Sequence, residues 1–396
     1  MARPNPAIVN DLFTPRLALL YAAFFLVSGW QLPLLPVWLA ARGLDPAAIG
    51  IVLATAQFVR VLGTPIGTRL ADRYGSLSRA ILTGAVGTAA AMALLGNTSG
   101  LPAVLPAIVV LGLVSAPMMP LIDAYALRGL ATLGRTYGPV RLWGSIAFIV
   151  ANLTGGVLLT VLAPANLIWL IFSGNCLVVG VALVIVPLPH DEPATPAGAA
   201  VGHSHLRQPA FLMIAAAGSL IQASHAVYYG FSTLDWTQKG FGGTTVGALW
   251  ALGVAAEIVL FAFASRLPPS IGPVTLILIG AAGAIVRWIA TAFDPPLALL
   301  SPLQLLHALS FGATHLGTML FLSRAAPQGS RAAAQGDVAT TNSVMMAGAS
   351  ALSGVLYGAG GSLAYLAMAA LAFAGGVFAL MAAPYLRQPH NAGDAG

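Results

Sequence analysis

The chain has 396 residues, of which 58% are hydrophobic and only 7% are charged. Soluble domains have about 25% charged residues, and the mean hydropathy here is +0.88. These values exclude a soluble protein. The net charge of +6 comes from basic residues scattered in short loops, which argues against a nucleic-acid partner, and the single cysteine, Cys176, excludes a disulfide scaffold.

Twelve apolar runs are each long enough to cross about 30 Å of hydrocarbon. We number them spans 1 to 12, at residues 16–40, 47–70, 78–97, 102–127, 138–162, 165–187, 209–236, 244–266, 271–293, 296–323, 333–359 and 362–385. Every span is predicted to be a helix, because lipid cannot satisfy the polar groups of an open strand edge. The fold class expected is an all-α membrane protein.

The longest polar segment, 188–208, lies between spans 6 and 7 and is rich in Pro, Ala, Gly and His, which is typical of a linker. It divides the chain into a six-helix half at 1–187 and a second half at 209–396. The spacing of its potential metal ligands fits no defined metal site, and neither a metal nor a cofactor is expected. Those ligands are His190, Asp191, Glu192, His203 and His205.

Basic residues are distributed unevenly between the loops on the two sides of the spans. If the N-terminus lies inside, the inner loops and termini hold twelve Arg residues, whereas the outer loops hold only Arg42 and Lys239. Positively charged loops stay on the cytoplasmic side of a membrane. Both termini and the linker are therefore predicted to be cytoplasmic, in a bacterial-type inner membrane.

Spans 2 and 8 carry the same sparse pattern of residues. The series Gly43, Gly50, Arg60 and Arg69 recurs with the same intervals of 7, 10 and 9 residues in the series that includes Gly240, Gly247, Glu257 and Arg266. Internal repeats of this kind mark the two halves of many transporters, whose binding site lies near the bilayer midplane. Two pseudo-symmetric halves are therefore predicted.

The repeat places Arg60 and Glu257 at equivalent depths, roughly 20 Å along their helices. An ionisable side chain at the bilayer centre costs about 2.5–3.5 kcal/mol, so both are expected to face a polar interior. Glu257 is predicted to carry a proton, with Arg287 or His307 as its partner; the alternative is a static ion pair. Arg60 is predicted to bind a carboxylate on the substrate or, alternatively, to pair with an acid of the protein.

The loop after span 2, LADRYG at 70–75, resembles the cytoplasmic signature of the major facilitator superfamily in Asp72, Arg73 and Gly75. A wider resemblance, to the phenylpropionate permease family within that superfamily, runs through seven stretches in order. These are LPLLPVWLAARGL, PLIDAYALR, YGPVRLWGSIAF, SHAVYYGFSTLDW, LWALGVAAEIVLFA, IVRWIA and QLLHALSFGATHL. The resemblance implies a twelve-helix, proton-driven symporter related to the lactose permease.

The same resemblance assigns roles to individual residues. Asp123 falls where the lactose permease family has a sugar-binding carboxylate, Arg141 falls on its partner arginine, and Phe148 replaces the tryptophan that stacks on the sugar. These three residues are expected to contact the substrate; for Asp123 and Arg141 the alternative is a bridge between spans 4 and 5 near the membrane surface.

In the proton-coupling group, Arg287 and His307 match that family's arginine and histidine at the same 20-residue interval. Its proton-carrying glutamate is Ser310 here. Glu257 lies about two turns from the family's acidic position in span 8, so the proton site is expected to have moved.

Span 7 supplies three further candidates, His225, Tyr228 and Tyr229, which lie within one turn of one another. Histidine can titrate near neutral pH and the two tyrosines can stack on an aromatic solute. Helix packing is the alternative for all three.

These features predict a proton-coupled symporter that imports a small organic solute by alternating access, with an aromatic carboxylate such as 3-phenylpropionate as the favoured substrate. The partners are then the solute, protons and the bilayer, and the chain is expected to be a monomer. A sugar or nucleoside symporter and a drug–proton antiporter remain open alternatives. An enzyme is not expected, because the sequence has no clustered nucleophiles and no metal ligands in a pattern such as H-E-x-x-H. No G-x-x-x-x-G-K-[ST] loop is present either, which argues against ATP as the driver of transport.

Overall fold

The computed structural model describes residues 6–188, 206, 208–268, 270–325 and 331–387. Helices account for nearly all of these residues, and no β-strand occurs among them. The helices of the spans are Pro6–Ala41 (span 1), Pro46–Tyr74 (span 2), Leu77–Gly96 (span 3), Leu101–Ser115 and Met118–Thr132 (span 4), Tyr137–Val161 (span 5), Leu167–Val184 (span 6), Pro209–Ala223 and Ala226–Gln238 (span 7), Gly243–Phe263 (span 8), Pro273–Ala292 (span 9), Leu297–Leu305, Ala308–Ala313 and Thr314–Ala325 (span 10), Arg331–Gly360 (span 11) and Ala364–Arg387 (span 12).

The described chain contains eleven apolar helical stretches that are long enough to cross a membrane, of which the last, Ala333–Tyr385, has 53 residues. A single crossing needs only about 20 residues. Gly361, with a φ of +56°, separates this stretch into the helices of spans 11 and 12. The predicted all-α fold with about twelve spans is thereby confirmed.

The repeat seen in the sequence is also a repeat of backbone conformation. Gly43 and Gly240 follow spans 1 and 7 with φ values of +81° and +85°, a left-handed conformation that glycine adopts without a steric penalty. The residue after each glycine donates its N–H to the carbonyl of Leu39 or Trp236, respectively. The two loops therefore close their helices with the same glycine-based cap.

Packing groups the chain into two units. The first comprises Met1–Ala197, Tyr228–Val254 and Ser350–Ala359, and in it span 1 packs on spans 5 and 6, while span 3 packs on spans 4 and 6. The second comprises the remaining residues, and in it span 12 packs on spans 7 and 9, while span 9 packs on span 10. The pairings of span 1 with 6, 3 with 6 and 3 with 4 thus recur six spans later.

The predicted division into halves at 188–208 stays a prediction. Of the linker, only residues 188, 206 and 208 are among the described ones, and its potential metal ligands all lie outside them.

Glycines allow two pairs of spans to cross with their backbones in contact. A Cβ atom added at Gly156 in span 5 would lie 2.8 Å from the Cα of Gly247 in span 8. One added at Gly50 in span 2 would lie 2.8 Å from the Cα of Gly354 in span 11. Carbon atoms in contact normally stay about 3.5–4 Å apart, so only glycine fits. Gly50 and Gly247 belong to the sequence repeat, which makes the two crossings equivalent.

Candidate functional site

Spans 4, 7 and 10 are interrupted in the middle. Span 4 breaks before Met118, span 7 breaks at His225, and span 10 breaks beside His307, where the π-helical segment Ala308–Ala313 follows. Irregular backbone within a membrane is tolerated only where it is buried in protein or lines a cavity, and π-helical turns are frequent at functional sites. Two of the three breaks coincide with residues singled out from the sequence.

One polar group, in the second unit, joins four side chains into a chain of contacts. An Oε atom of Glu257 lies 3.5 Å from Nε2 of His307, and Nδ1 of His307 lies 3.1 Å from a terminal nitrogen of Arg287. Arg287 in turn donates to the side-chain oxygen of Gln304 at 2.7 Å. Arg287 is fully buried, whereas 18% of the Glu257 side chain is exposed. Glu257 is therefore the solvent-accessible end of this series of side-chain contacts.

The contacts of His307 decide where its proton lies. Arginine is always protonated and can only donate, so Nδ1 of His307 accepts from Arg287. The neutral ring then carries its proton on Nε2, which faces Glu257. A second proton on Nδ1 would oppose the guanidinium of Arg287 and remove that hydrogen bond. This arrangement favours Glu257, rather than His307, as the group that exchanges a proton.

His225 is fully buried beside this group, with its ring 5.4 Å from that of His307. Its Nδ1 lies 3.2 and 3.1 Å from the carbonyl oxygens of Ile221 and Gln222, respectively, so Nδ1 carries the proton. Its Nε2 then accepts from the hydroxyl of Ser310 at 3.1 Å. These bonds join the break in span 7 to the π-helical segment of span 10. The predicted contact of His225 with substrate stays a prediction.

A second polar group, in the first unit, surrounds Asp123. One carboxylate oxygen, Oδ1, accepts hydrogen bonds from the hydroxyls of Tyr21 at 2.6 Å and Tyr137 at 2.9 Å. Arg141 lies over the ring of Phe25, with Cζ 3.9 Å from the ring centre. Among the described residues, no ion pair joins Arg141 to Asp123, although the resemblance pairs them.

Arg60 is exposed on span 2, and no hydrogen bond or ion pair to it occurs in the described part of the chain. The large apolar residues Phe58 and Leu62 form one exposed face of this helix. At about 100° per residue, Arg60 lies roughly 160° from Leu62, on the opposite face. That face also carries Gly67, which is seven residues after Arg60 and packs against Pro117 of span 4. Arg60 therefore does not belong to the apolar face expected to meet lipid.

The two tyrosines of span 7 differ in exposure. Tyr228 is 3% exposed and packs between Trp236 and Trp250, with ring centres 5.9 and 4.5 Å away. Tyr229 is only half-buried and stacks on Trp250 at 6.1 Å. A solute ring can therefore reach Tyr229 more easily than Tyr228, which has the surroundings of a packing residue.

The loop motif after span 2 has one well-defined conformational feature. Gly75 has a φ of +58°, which explains the glycine at the turn between spans 2 and 3. Arg73 is exposed, and the side chain of Asp72 lies outside the described residues.

Two side chains of the two polar groups, Tyr21 and Tyr137, were not predicted from the sequence, whereas Gln304 was interpreted as an amide that orients a hydroxyl or carboxylate or, alternatively, joins two helices. Tyr21 lies 102 residues from Asp123, so no local pattern connects them. Tyr137 precedes Arg141 by one helical turn, a spacing that places both on one face. Gln304 lies one turn before the break in span 10.

In the part of the chain that the structure describes, no three His, Cys, Asp or Glu side chains are placed to hold a metal ion.

Comparisons with known proteins place this chain among membrane transporters. The sequence profile described as "MFS_1 like family" matches residues 15–367. The chain is 32% identical over 326 residues to the "Probable 3-phenylpropionic acid transporter" of Escherichia coli (strain K12), covering 79% of this chain and 83% of the relative. It is 28% identical over 317 residues to the "Maltose permease" of Geobacillus stearothermophilus, covering 78% and 79%.

Among solved structures, the crystal structure of nucleoside transporter NupG is similar in fold. It superposes with a TM-score of 0.82 at 16% sequence identity and covers 95% of this chain and all of the other. At this identity the likeness shows the fold alone.

Proposed function

Since this chain belongs to the MFS_1 like family, we propose that it is a proton-coupled symporter that imports an aromatic carboxylate such as 3-phenylpropionate. The family and its relatives make it a transport protein and not an enzyme. What we propose beyond this is the proton coupling, the direction of transport and the substrate.

The chain of contacts from Glu257 to Gln304 is the observation that carries the proposal of proton coupling. Placing a carboxylate within a membrane span costs free energy, so such residues usually form an ion pair or take part in transport. Glu257 is both partly exposed and 3.5 Å from a histidine whose other nitrogen is bound by a buried arginine. A change in the distance between Glu257 and His307 would alter the proton affinity of the carboxylate. Movement of span 8 against span 10 would therefore couple conformation to protonation.

Arg141 and Phe148 support an aromatic carboxylate as the substrate. They are seven residues apart in span 5, which places them on one helix face roughly 10.5 Å apart along the axis. The guanidinium would bind the carboxylate and the half-buried Phe148 would contact the ring. The relative named for 3-phenylpropionic acid transport supports the same class of substrate. Arg60 and Tyr229 are the further residues proposed to contact the solute.

The chain is a multi-pass membrane protein. We place it in a bacterial inner membrane with both termini cytoplasmic, because that orientation leaves most arginines of the loops inside. The proposed unit of transport is the monomer.

A sugar symporter is the second candidate. One carboxylate oxygen of Asp123, Oδ2, has no hydrogen-bond partner among the described residues, and a carboxylate oxygen can accept from a sugar hydroxyl. The maltose permease among the relatives supports this alternative.

Uptake into proteoliposomes separates the two candidates. An inward proton gradient of one pH unit supplies about 1.4 kcal/mol per proton, so one-proton symport drives labelled 3-phenylpropionate toward about tenfold accumulation. We expect its initial rate of uptake to exceed that of protein-free liposomes, into which only the protonated acid can diffuse. An excess of unlabelled 3-phenylpropionate should abolish this signal, and an excess of maltose should leave it unchanged. Saturable maltose uptake without accumulation of 3-phenylpropionate would replace the first candidate by the second.

A further inference from the structure

Tyr21 and Tyr137 hold the carboxylate of Asp123 from two different helices. Tyr21 belongs to span 1 and is fully buried, whereas Tyr137 begins the helix of span 5. Both hydroxyls donate to the same oxygen of Asp123, at 2.6 and 2.9 Å. The rings meet edge to face, with their centres 6.2 Å apart. Hydrogen bonds to a charged acceptor are roughly twice as strong as neutral ones, so Asp123 is firmly held.

Arg141 is adjacent to this cluster and is held differently. Its Cζ lies 3.9 Å from the ring centre of Phe25 and 5.6 Å from that of Tyr21. A guanidinium that lies over aromatic faces is stabilised by the rings while its N–H edge stays available for a planar anion. Besides these ring contacts, the Arg141 head group lies close enough to Tyr137 to interact with it electrostatically.

Tyr21 therefore separates two groups that would otherwise attract each other. Its hydroxyl binds Asp123 and its ring face supports Arg141. Tyr137, which binds Asp123, is one helical turn from Arg141. With Oδ1 held by both hydroxyls, the Asp123 carboxylate forms no ion pair with Arg141 among the described residues, and we expect that pair to form when the hydroxyls are removed.

We infer that Tyr21 and Tyr137 determine specificity for anionic solutes. Their hydroxyls hold the Asp123 carboxylate by hydrogen bonds to Oδ1, so that Arg141 stays available to the solute carboxylate. This inference rests on the proposed function, in which Arg141 binds the carboxylate. When both hydroxyls are removed, Asp123 turns to Arg141 and competes with the anion. A neutral solute of the same shape is unaffected by that competition.

The binding test compares 3-phenylpropionate with its neutral amide, 3-phenylpropanamide. In the variant Tyr21→Phe with Tyr137→Phe, we expect Kd for the acid to rise about tenfold, which is the scale of coupling between close charges, while Kd for the amide stays within about threefold. Adding Asp123→Asn should restore the affinity for the acid, because the competing charge is gone. A loss caused by looser helix packing would not be restored in this way.

A rise in Kd that Asp123→Asn does not reverse would overturn the inference, and so would an unchanged Kd in the double variant. If the double variant does not fold, the single variant Tyr137→Phe serves instead, because Tyr137 is half-buried at a helix end. Its loss of affinity should again be reversed by Asp123→Asn.

The arginine-selective reagent phenylglyoxal tests the same contacts without a substrate. Mass spectrometry should show that Arg141 is modified in the parent protein, protected in the double tyrosine variant, and modified again when Asp123→Asn is added. If this order holds and 3-phenylpropionate does not bind, the proposed substrate is wrong but the role of the tyrosines stands. Equal modification of Arg141 in all three proteins would overturn the inference whatever the substrate.

Discussion

Replacing Glu257 by glutamine should abolish accumulation of 3-phenylpropionate against its concentration gradient and leave exchange of internal for external substrate largely intact. Glutamine keeps the size of the side chain and can still contact His307, but it cannot carry a proton. Net symport requires the site to load and release a proton in each cycle, whereas exchange only requires the loaded site to change sides. After passive entry into protein-free liposomes is subtracted, we expect the initial rate of uptake driven by a gradient of one pH unit to fall at least about tenfold.

Asp45→Asn is the matched control for this substitution. Asp45 is an exposed carboxylate that accepts a hydrogen bond from the N–H of Ala48 at 2.7 Å at the start of span 2, and asparagine caps helices equally well. This variant should accumulate and exchange substrate like the parent. If Glu257→Gln lowered accumulation and exchange to the same extent, Glu257 would have a structural or substrate-binding role instead.

Introducing tryptophan at both Gly50 and Gly247 should stop transport and preserve substrate binding. These glycines form the two equivalent crossings, where an added Cβ would already meet the backbone of Gly354 or Gly156. A tryptophan ring at each crossing would hold spans 2 and 11, and spans 8 and 5, apart. Alternating access requires one side of the transporter to close, so we expect uptake to fall below about a tenth of the parent value.

Gly180→Trp controls for the effect of a large side chain on folding. Gly180 is exposed on span 6, and an added Cβ there meets no atom within 4 Å. Kd for 3-phenylpropionate and thermal stability should be similar in the control and in the double variant, with uptake lost only in the latter. Normal uptake by the double variant would show that the glycine crossings need not form during the cycle.

Composition and span length were sufficient to predict the fold, because lipid allows few solutions for a chain this apolar. They could not predict the break in span 7, which has no proline near His225. That break is stabilised by side chains distant in sequence: Trp288 donates to the hydroxyl of Ser224 at 2.9 Å, and Ser310 donates to His225. Conversely, Pro33 and Pro36 lie in span 1, and its helix continues through both.

The candidate site shows the same limit. The 20-residue interval between Arg287 and His307, taken from the family resemblance, corresponds to a contact of 3.1 Å. The sequence left both residues open as the partner of Glu257, and the geometry places His307 next to it. No spacing along the chain relates Tyr21 to Asp123, since that pairing depends on how spans 1 and 4 pack. Local patterns therefore identify the charged residues but not the neutral side chains that position them.

The central claim is that Glu257 faces water rather than lipid, and thiol accessibility tests it most directly. Cys176 is the only cysteine, so Cys176→Ser provides a background without thiols. In that background, Glu257→Cys is compared with Val259→Cys, which lies on the opposite, apolar face of span 8 with 57% of its surface exposed. A charged methanethiosulfonate reagent is attacked only by a thiolate, which forms in water and not in hydrocarbon.

We predict that the thiol at position 257 reacts at least about tenfold faster than the thiol at position 259, because only the former can ionise in water. Unsealed membranes, which expose both faces to the reagent, are the suitable sample. Equally slow reaction at both positions would contradict the account, because it would place Glu257 in a dry environment from which it could not exchange a proton.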